Sequence, residues 1–366
     1  MKPPHESPRT HQERIYKPLS DPIAVHSRAL IKALEQKIKA EFGYIIQIGM
    51  EKEFVADITT SKTSGYPNKP EMMSRTNTNL MHHQIVSQSK HPSARLPVTN
   101  FNIEGGTNQY EFKTEPSPPS QAVIRMDTQC TRLESYRNIL GYDNMPHIKN
   151  VDFTPFSSTE FSGLHVNFSL WKKADSLHPS KNITFDIEDT KKRSILVALH
   201  QYVGNDTLLI CPSDDAFQRR GFLSSQFYYD RDSTNEILAT KINFVSYRKP
   251  RLLGTFEEQK TDRIEFRSPS SDARHDLSVL MTMSATYEGL KSTSEFVNKP
   301  IPKIAPKSKD EAIERFEESS ALMPDLKKMA GDDAELQKHV SALQNEILKA
   351  AKIDKLTQPI LSERAR

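Results

Sequence analysis

The chain has 366 residues, of which 36% are hydrophobic and 27% are charged, and its formal net charge is +3. This composition excludes an intrinsically disordered chain, and so small a net charge gives no reason to expect nucleic-acid or membrane binding. The length allows one large domain or two modest ones.

The N-terminal part predicts an arm, a helix and a strand. Residues 1–22 are rich in proline and charge and are expected to form a loose arm. Apolar residues recur at helical spacing over 21–42, which predicts one amphipathic helix. The segment 44–55 (YIIQIGMEKEFV) is typical of a strand, on which Glu51 and Glu53 would share a face.

A hairpin and a helix are expected next. Residues 98–113 predict two short strands joined by the turn-forming GGTN at 105–108. Such a hairpin would bring the carboxylates of Glu104 and Glu111 towards each other. Ser120 is then expected to cap a helix that runs to about residue 140.

The later part of the chain alternates between strands and helices. Residues 161–171 predict a strand with His165 on its polar face, and 189–203 predict a helix. Residues 262–268 predict another strand, with Glu265 on its polar face, and Asp272 is expected to cap the helix that follows. A proline-rich linker begins after residue 298 and leads to a charged helical tail, expected to be solvated or to make an oligomer contact.

Strands with one polar face that alternate irregularly with helices predict an α+β fold. We expect a largely antiparallel sheet with helices packed on its apolar face, while its polar face lines a cavity. Cys130 and Cys211 are far apart and lack metal-type spacing, which favours buried thiols in a reducing cytoplasm. The N-terminus lacks the apolar core of a secretory signal, and the sequence has no apolar run that would span a bilayer.

The predicted strands carry an unusual set of potential metal ligands on their polar faces: Glu51, Glu53, Glu104, Glu111, His165 and Glu265. Each residue alone is better explained as part of a solvated strand face or as a hydrogen-bonded core histidine. Several carboxylates in one cavity, however, cannot all stay ionised without cations. Five carboxylates and one histidine suit magnesium or manganese, so the joint pattern predicts a metal site.

Four segments resemble the sequence motifs of glutamine synthetases. GMEKEF at 49–54 resembles their Glu-x-Glu strand, and NIEGGTNQYEF at 102–112 resembles the next glutamate-containing segment. SGLHVNFSLW at 162–171 and the stretch from DRIEFR onwards at 262–290 resemble the histidine and Arg-x-Glu-x-Arg segments. The motifs occur in the family's order. The resemblance implies the curved antiparallel sheet of the glutamine synthetase catalytic domain, with helices on the outer face.

The resemblance also implies a division of the chain and two metal ions. Residues 1–43 would form the arm and helix, 44–298 the catalytic domain, and 299–366 the linker and tail. ATP would be the cosubstrate, and the two ions would be Mg²⁺ or Mn²⁺. The implied ligands form two triplets: Glu53, Glu104 and Glu111 on the acceptor side, and Glu51, His165 and Glu265 on the nucleotide side.

Further residues acquire roles by the same resemblance. Arg267 matches an arginine that contacts phosphate or the acyl phosphate. Arg248 or Arg251 matches the arginine that binds the substrate carboxylate, with Arg248 favoured. Gly163 and Asn167 fall among substrate-binding positions, and Asn167 stands where many relatives have a second histidine.

The chain departs from the family in two respects, of which one bears on the nucleophile and the other on nucleotide binding. Only about 40 residues precede the first catalytic strand, where the family has a β-grasp domain that helps to form its ammonium site. Between Leu253 and Arg263, the family's nucleotide-binding arginines have no counterpart. The sequence therefore predicts an ATP-dependent ligase that joins glutamate or a similar acid to an amine, in a cytoplasmic protein with homo-oligomerisation left open. The alternatives are a glutamate–cysteine ligase-like enzyme and a non-catalytic descendant that binds metal or nucleotide.

Overall fold

A computed structural model describes these residues of the chain: 21–59, 98–103, 109–136, 147–152, 162–172, 180–184, 186–217, 263–292 and 306–364. Three residues with predicted roles, Glu104, Arg248 and Arg251, lie outside them.

The described strands form one curled, antiparallel sheet. Their bounds are β1 (Tyr44–Thr59), β2 (Val98–Ile103), β3 (Gln109–Thr114), β4 (His147–Asp152), β5 (Leu164–Lys172), β6 (Lys181–Asn182) and β7 (Ile264–Phe266). The strand order is β2-β3-β1-β5-β6, while β4 pairs with β1 and β7 pairs with β5. Every pairing is antiparallel. The predicted α+β fold with a largely antiparallel sheet is confirmed.

Helices cover the apolar face of this sheet. Their bounds are α1 (Pro22–Phe42), α2 (Pro119–Tyr136), α3 (Asp189–Asn205), α4 (His275–Lys291), α5 (Lys309–Ser319), α6 (Leu322–Ala330) and α7 (Ala334–Arg364). Helices α1 and α2 pack against β1, and α4 packs against β5. Of the helices that the structure describes, none combines the length and the apolar character needed to cross a bilayer.

Local sequence determines where helix α1 begins and ends. Asp21 caps α1 by accepting a hydrogen bond from the Ile23 backbone N–H at 3.0 Å, and Pro22 begins the helix. Gly43 ends it in the left-handed conformation, with φ at 70°. Leu30 and Leu34 are fully buried on its inner face. Helix α1 thus leads directly into the central strand of the sheet.

Strict alternation on β5 gives the sheet its two faces. Leu164, Val166 and Phe168 are fully buried on the side that faces the helices. His165 and Asn167 point to the opposite face, as the alternation predicts. That polar face is also enclosed, since His165 is only 2% exposed.

The structure corrects two predicted helix caps. Helix α4 begins after Arg274, and Asp272 instead accepts hydrogen bonds from the hydroxyls of Ser213 and Ser270. Ser120 lies inside α2, where its hydroxyl donates to Glu35 Oε2 at 2.7 Å and so ties α2 to α1. In both cases a tertiary partner takes the side chain that a local cap would have used.

Two further differences concern strands and the C-terminal part. Strand β1 continues to Thr59 because β4, which was not predicted, pairs with its last residues. The segment predicted as a charged helical tail contains α5, α6 and α7, and these helices bury apolar side chains such as Phe316 and Val340. Their apolar faces therefore extend the core of the sheet and helices.

Candidate metal centre

Neighbouring strands bring the predicted ligands together on the polar face of the sheet. On β1, Glu51 lies opposite His165 of β5, and Glu53 lies opposite Glu111 of β3. Glu265 enters from β7, which pairs with β5 on its other side. Because β1 is central and side chains alternate along each strand, these residues share one face.

The five ligands form two overlapping triads. In the first, the ligand atoms of Glu51, His165 and Glu265 lie within 4.8 Å of one another. In the second, the same holds for Glu53, Glu111 and His165. All five residues are buried, with exposed fractions between 2% and 9%. Buried carboxylates this close together require compensating positive charge.

His165 lies between the two triads. Its Nδ1 atom lies 3.3 Å from Glu265 Oε1 and 3.6 Å from Glu51 Oε2, while its Nε2 atom lies 3.6 Å from Glu53 Oε1. Nδ1 is buried and has no hydrogen-bond partner within the described part of the chain. The surrounding carboxylate oxygens suit a hard divalent cation, and the buried imidazole nitrogen can complete the coordination of one. The donor set therefore fits the predicted magnesium or manganese.

Gly163 fixes the position of Glu53. The Gly163 backbone N–H donates to Glu53 Oε2 at 2.6 Å, and the Glu53 backbone N–H donates to the Gly163 carbonyl oxygen at 2.9 Å. A short hydrogen bond from a backbone N–H to a carboxylate leaves the second oxygen, Oε1, facing His165. Gly163 thus contributes to the centre by orienting a potential ligand.

The crowded carboxylates differ in their pKa values. Burial raises the pKa of Glu111 to about 7, helped by the negative charge of Glu51 and opposed by Lys113. Burial also acts to raise the pKa of Glu51, but the adjacent His165 ring and the charge of Lys113 outweigh it and lower the pKa to about 2. Glu51 is thus ionised at neutral pH, while Glu111 is close to its titration point.

Basic side chains also reach the cluster. Lys113 Nζ lies 3.0 Å from Glu51 Oε1, and Arg263 Nη2 lies 3.6 Å from the same oxygen. Arg263 Nε also donates to Asn167 Oδ1 at 2.7 Å, and Arg267 Nη1 lies 3.4 Å from Glu265 Oε1. No role was predicted for Lys113 or Arg263. Lys113 follows Glu111 by two residues, and Arg263 precedes Glu265 by two. This spacing puts each basic residue on the same strand face as a predicted ligand and could have identified both.

The structure thus brings most of the predicted site residues close to one another. It brings together five of the six predicted ligands, with Gly163, Asn167 and Arg267 beside them. Glu104 directly follows β2, which pairs with β3 beside Glu111, but Glu104 itself lies outside the described residues, as do Arg248 and Arg251. Their placement remains a prediction.

Comparison with known proteins places this geometry in a known fold. No family model matches the chain, and no curated protein matches its sequence. A novel glutamine synthase homologue superimposes with a TM-score of 0.60 at 15% identity, over 88% of this chain and 70% of that one. Plasmodium falciparum glutamine synthetase gives 0.56 at 14% identity, over 89% and 77% of the two chains.

A complex of GmaS with ADP also gives a TM-score of 0.56 at 14% identity, over 92% of this chain and 75% of that one. At these identities, the similarity concerns the path of the backbone and not the chemistry of the site. The chain therefore has the glutamine synthetase-like fold that its four sequence segments predicted.

Proposed function

We propose that the chain is an ATP-dependent carboxylate–amine ligase that uses magnesium or manganese. The observation that carries the proposal is the pair of buried carboxylate–histidine triads on the polar face of a glutamine synthetase-like sheet. In the overall reaction, the terminal phosphoryl group of ATP passes to a substrate carboxylate. An amine then displaces the phosphate and forms an amide. The acid would be glutamate or a close relative.

The two triads would hold the divalent ions. We assign the nucleotide-side ion to Glu51, His165 and Glu265, and the acceptor-side ion to Glu53 and Glu111 together with Glu104. When bound, the ions neutralise charge on the phosphate and carboxylate oxygens. The chain contributes rigid placement, because the ligands stand on paired strands and Glu53 is oriented by Gly163.

Arginine at the edge of the cluster would bind phosphate oxygens. The Arg267 side chain is 37% exposed and stays beside Glu265, so its guanidinium can donate outwards without leaving the site. Asn167 would contact substrate from the same face. Arg248 or Arg251 would bind the substrate carboxylate, on the strength of the motif resemblance alone.

A phosphate-release assay tests the ligase directly. Full-length protein with ATP, glutamate and a panel of amines that includes ammonia and cysteine should release phosphate only when Mg²⁺ or Mn²⁺ is present. The substitution Glu51→Gln removes a ligand and should lower kcat/KM by roughly 100-fold or more. Glu318→Gln, on the exposed surface of α5, should leave it unchanged. Absence of turnover with every amine, together with absence of Mg–ATP binding, would contradict the proposal.

The basic side chains give one reason to consider a non-catalytic role. Lys113, Arg263 and Arg267 already compensate part of the carboxylate charge, so the cluster is held together by the chain's own cations. A descendant that only binds metal, nucleotide or a small metabolite would keep this arrangement. Calorimetry with Mg–ATP separates the two roles, since binding without turnover supports the non-catalytic one. Turnover with cysteine alone would instead indicate a glutamate–cysteine ligase-like enzyme.

We also place the protein in the cytoplasm. Cys130 and Cys211 are both buried thiols, which fits a reducing compartment. Fractionation of cells that express the full chain checks this location. Assembly into a homo-oligomer is a separate proposal, which light scattering of the purified chain tests.

A further inference from the structure

Lys113 lies among the buried carboxylates at a position that the ligand pattern does not explain. It is on β3, two residues after Glu111, and directly opposite Glu51 on β1. Its side chain therefore projects from the same face as both glutamates. Those two glutamates belong to different triads, so Lys113 stands at the junction between the two predicted metal positions.

Lys113 contacts one oxygen of the Glu51 carboxylate and one oxygen of the Glu111 carboxylate. Its Nζ atom lies 3.0 Å from Glu51 Oε1 and 2.8 Å from Glu111 Oε1. The other oxygen of each carboxylate faces His165 Nδ1, at 3.6 Å for Glu51 and 3.8 Å for Glu111. One ammonium thus bridges two carboxylates in the way that a metal ion would, and an ammonium has the three donors needed to do so.

This arrangement differs from an ordinary cross-strand ion pair on an exposed sheet. The side chains of Glu51 and Glu111 are only 9% and 4% exposed, so solvent screens their attraction to Lys113 weakly. Arg263 and Arg267 are exposed to a similar degree as Lys113, but they lie farther from the carboxylates, at 3.6 Å from Glu51 and 3.4 Å from Glu265. Lys113 is therefore the described cation that competes most directly with a divalent ion for carboxylate oxygens.

We propose that Lys113 is a built-in cation that stands between the two predicted metal positions and holds one carboxylate of each triad. The native chain then binds one divalent ion tightly in the absence of nucleotide. A second ion must displace the ammonium from Glu51 and Glu111, which like-charge repulsion opposes. Removal of the lysine charge should open the second position.

A Mn²⁺ titration of the full chain tests this inference, with free Mn²⁺ followed by electron paramagnetic resonance. Wild-type protein should bind one Mn²⁺ tightly, and Lys113→Gln should bind a second one or bind with at least roughly tenfold higher affinity. Lys113→Arg keeps the charge and should behave as wild type. The control is Lys181→Gln, because Lys181 pairs at the surface with Asp186 and should not affect Mn²⁺ binding. Unchanged or weaker Mn²⁺ binding by Lys113→Gln would overturn the inference.

A second measurement uses the wild-type chain and does not depend on the folding of a variant. Acetylation of Lys113 by an amine-reactive reagent, followed by mass spectrometry, should accelerate only when Mn²⁺ exceeds the first equivalent, because the second ion releases the ammonium. A rate that does not respond to excess Mn²⁺ would contradict the displacement.

The inference rests on the proposed metal centre, but its outcome can be distinguished from that of the ligase. A gain of Mn²⁺ binding in Lys113→Gln without turnover by any form of the protein would support the role of Lys113 and contradict the ligase. Turnover by the wild type together with unchanged Mn²⁺ binding in Lys113→Gln would support the ligase and contradict the role of Lys113.

Discussion

His165 offers both of its ring nitrogens to carboxylates, and both triads depend on it. Its Nδ1 faces Glu265 and Glu51, and its Nε2 faces Glu53. A histidine in this position cannot satisfy every carboxylate by hydrogen bonding, because an imidazole ring has at most two N–H groups and four carboxylates surround it. Other cations must complete the charge balance, and Lys113 and the predicted divalent ions are the candidates.

A second set of linked polar side chains lies beneath the carboxylate cluster, on the helix side of the sheet. Lys52 stands between Glu51 and Glu53 on β1 but is fully buried on the opposite face. Lys52 Nζ lies 3.0 Å from His275 Nε2, and His275 Nδ1 lies 2.6 Å from Asp127 Oδ1. Lysine donates and a carboxylate accepts, so His275 is neutral and carries its proton on Nδ1.

We predict that His275 makes stability depend on pH. Burial and the charge of Lys52 lower the pKa of His275 below 6.5, so the unfolded chain binds a proton at a higher pH than the folded chain does. The free energy of unfolding should therefore fall as pH drops below about 6.5, by up to about 1.4 kcal/mol per pH unit for this one group. Urea unfolding at several pH values between 5.5 and 7.5 measures how the free energy of unfolding depends on pH. In His275→Gln this slope should be smaller, and equal slopes would contradict the assignment.

At the scale of elements, the contact between α3 and α4 is set by a glycine. A Cβ atom added at Gly289 would lie 2.4 Å from Ile195 Cγ1 and 2.5 Å from the Ile195 backbone nitrogen. Because one of these atoms belongs to the backbone, a side-chain rotation cannot relieve the overlap. The two helices therefore approach as closely as their backbones allow.

We predict that Gly289→Ala destabilises the protein despite the better helix propensity of alanine. Propensity would favour alanine by about 1 kcal/mol, but the overlap with Ile195 should cost about 2–4 kcal/mol, for a net loss of about 1–3 kcal/mol. Gly43→Ala is the comparison, since a Cβ there meets no atom within 4 Å and only the positive φ opposes it. Equal effects of the two substitutions in thermal unfolding would show that α3 and α4 can separate.

At the scale of the whole molecule, one core runs from the sheet into the C-terminal helices. Phe316 of α5 is fully buried and belongs to the same hydrophobic cluster as Phe168 of β5. Asp206, which follows α3, accepts hydrogen bonds from the backbone N–H groups of Ala321 and Leu322, each at 3.1 Å, at the start of α6. Apolar packing and this capping interaction join the C-terminal helices to the rest.

We predict that Phe316→Ala weakens the sheet as well as the C-terminal helices. The cavity left by a buried phenylalanine should cost about 3–5 kcal/mol. Hydrogen exchange of backbone amides should then accelerate in β1 and β5 as well as in α5, because the core unfolds as a unit. Glu318→Ala, on the exposed side of the same helix, should change stability by less than about 0.5 kcal/mol. Acceleration of exchange confined to α5 would contradict the prediction, because it would mean that this helix unfolds separately from the sheet.

The sequence alone determined which residues share a face of each strand or helix, and which chemical groups each face carries. Alternation on β5 assigns His165 and Asn167 to the polar face, and helical spacing locates α1, because both patterns follow from the fixed geometry of one strand or one helix. The motifs around Glu51, His165 and Glu265 also indicated the fold. Helix caps such as that predicted for Asp272 were wrong, since nearby serines compete for the same side chain.

Which of these residues come into contact depends on the three-dimensional fold. The register that sets Glu51 opposite His165 and Glu53 opposite Glu111 joins strands far apart in the sequence, and no local pattern fixes it. The same register places Lys113 between two carboxylates, a contact invisible in the sequence. Burial, which makes these contacts strong, depends on the whole fold, because only the assembled sheet and helices exclude water from the charged face.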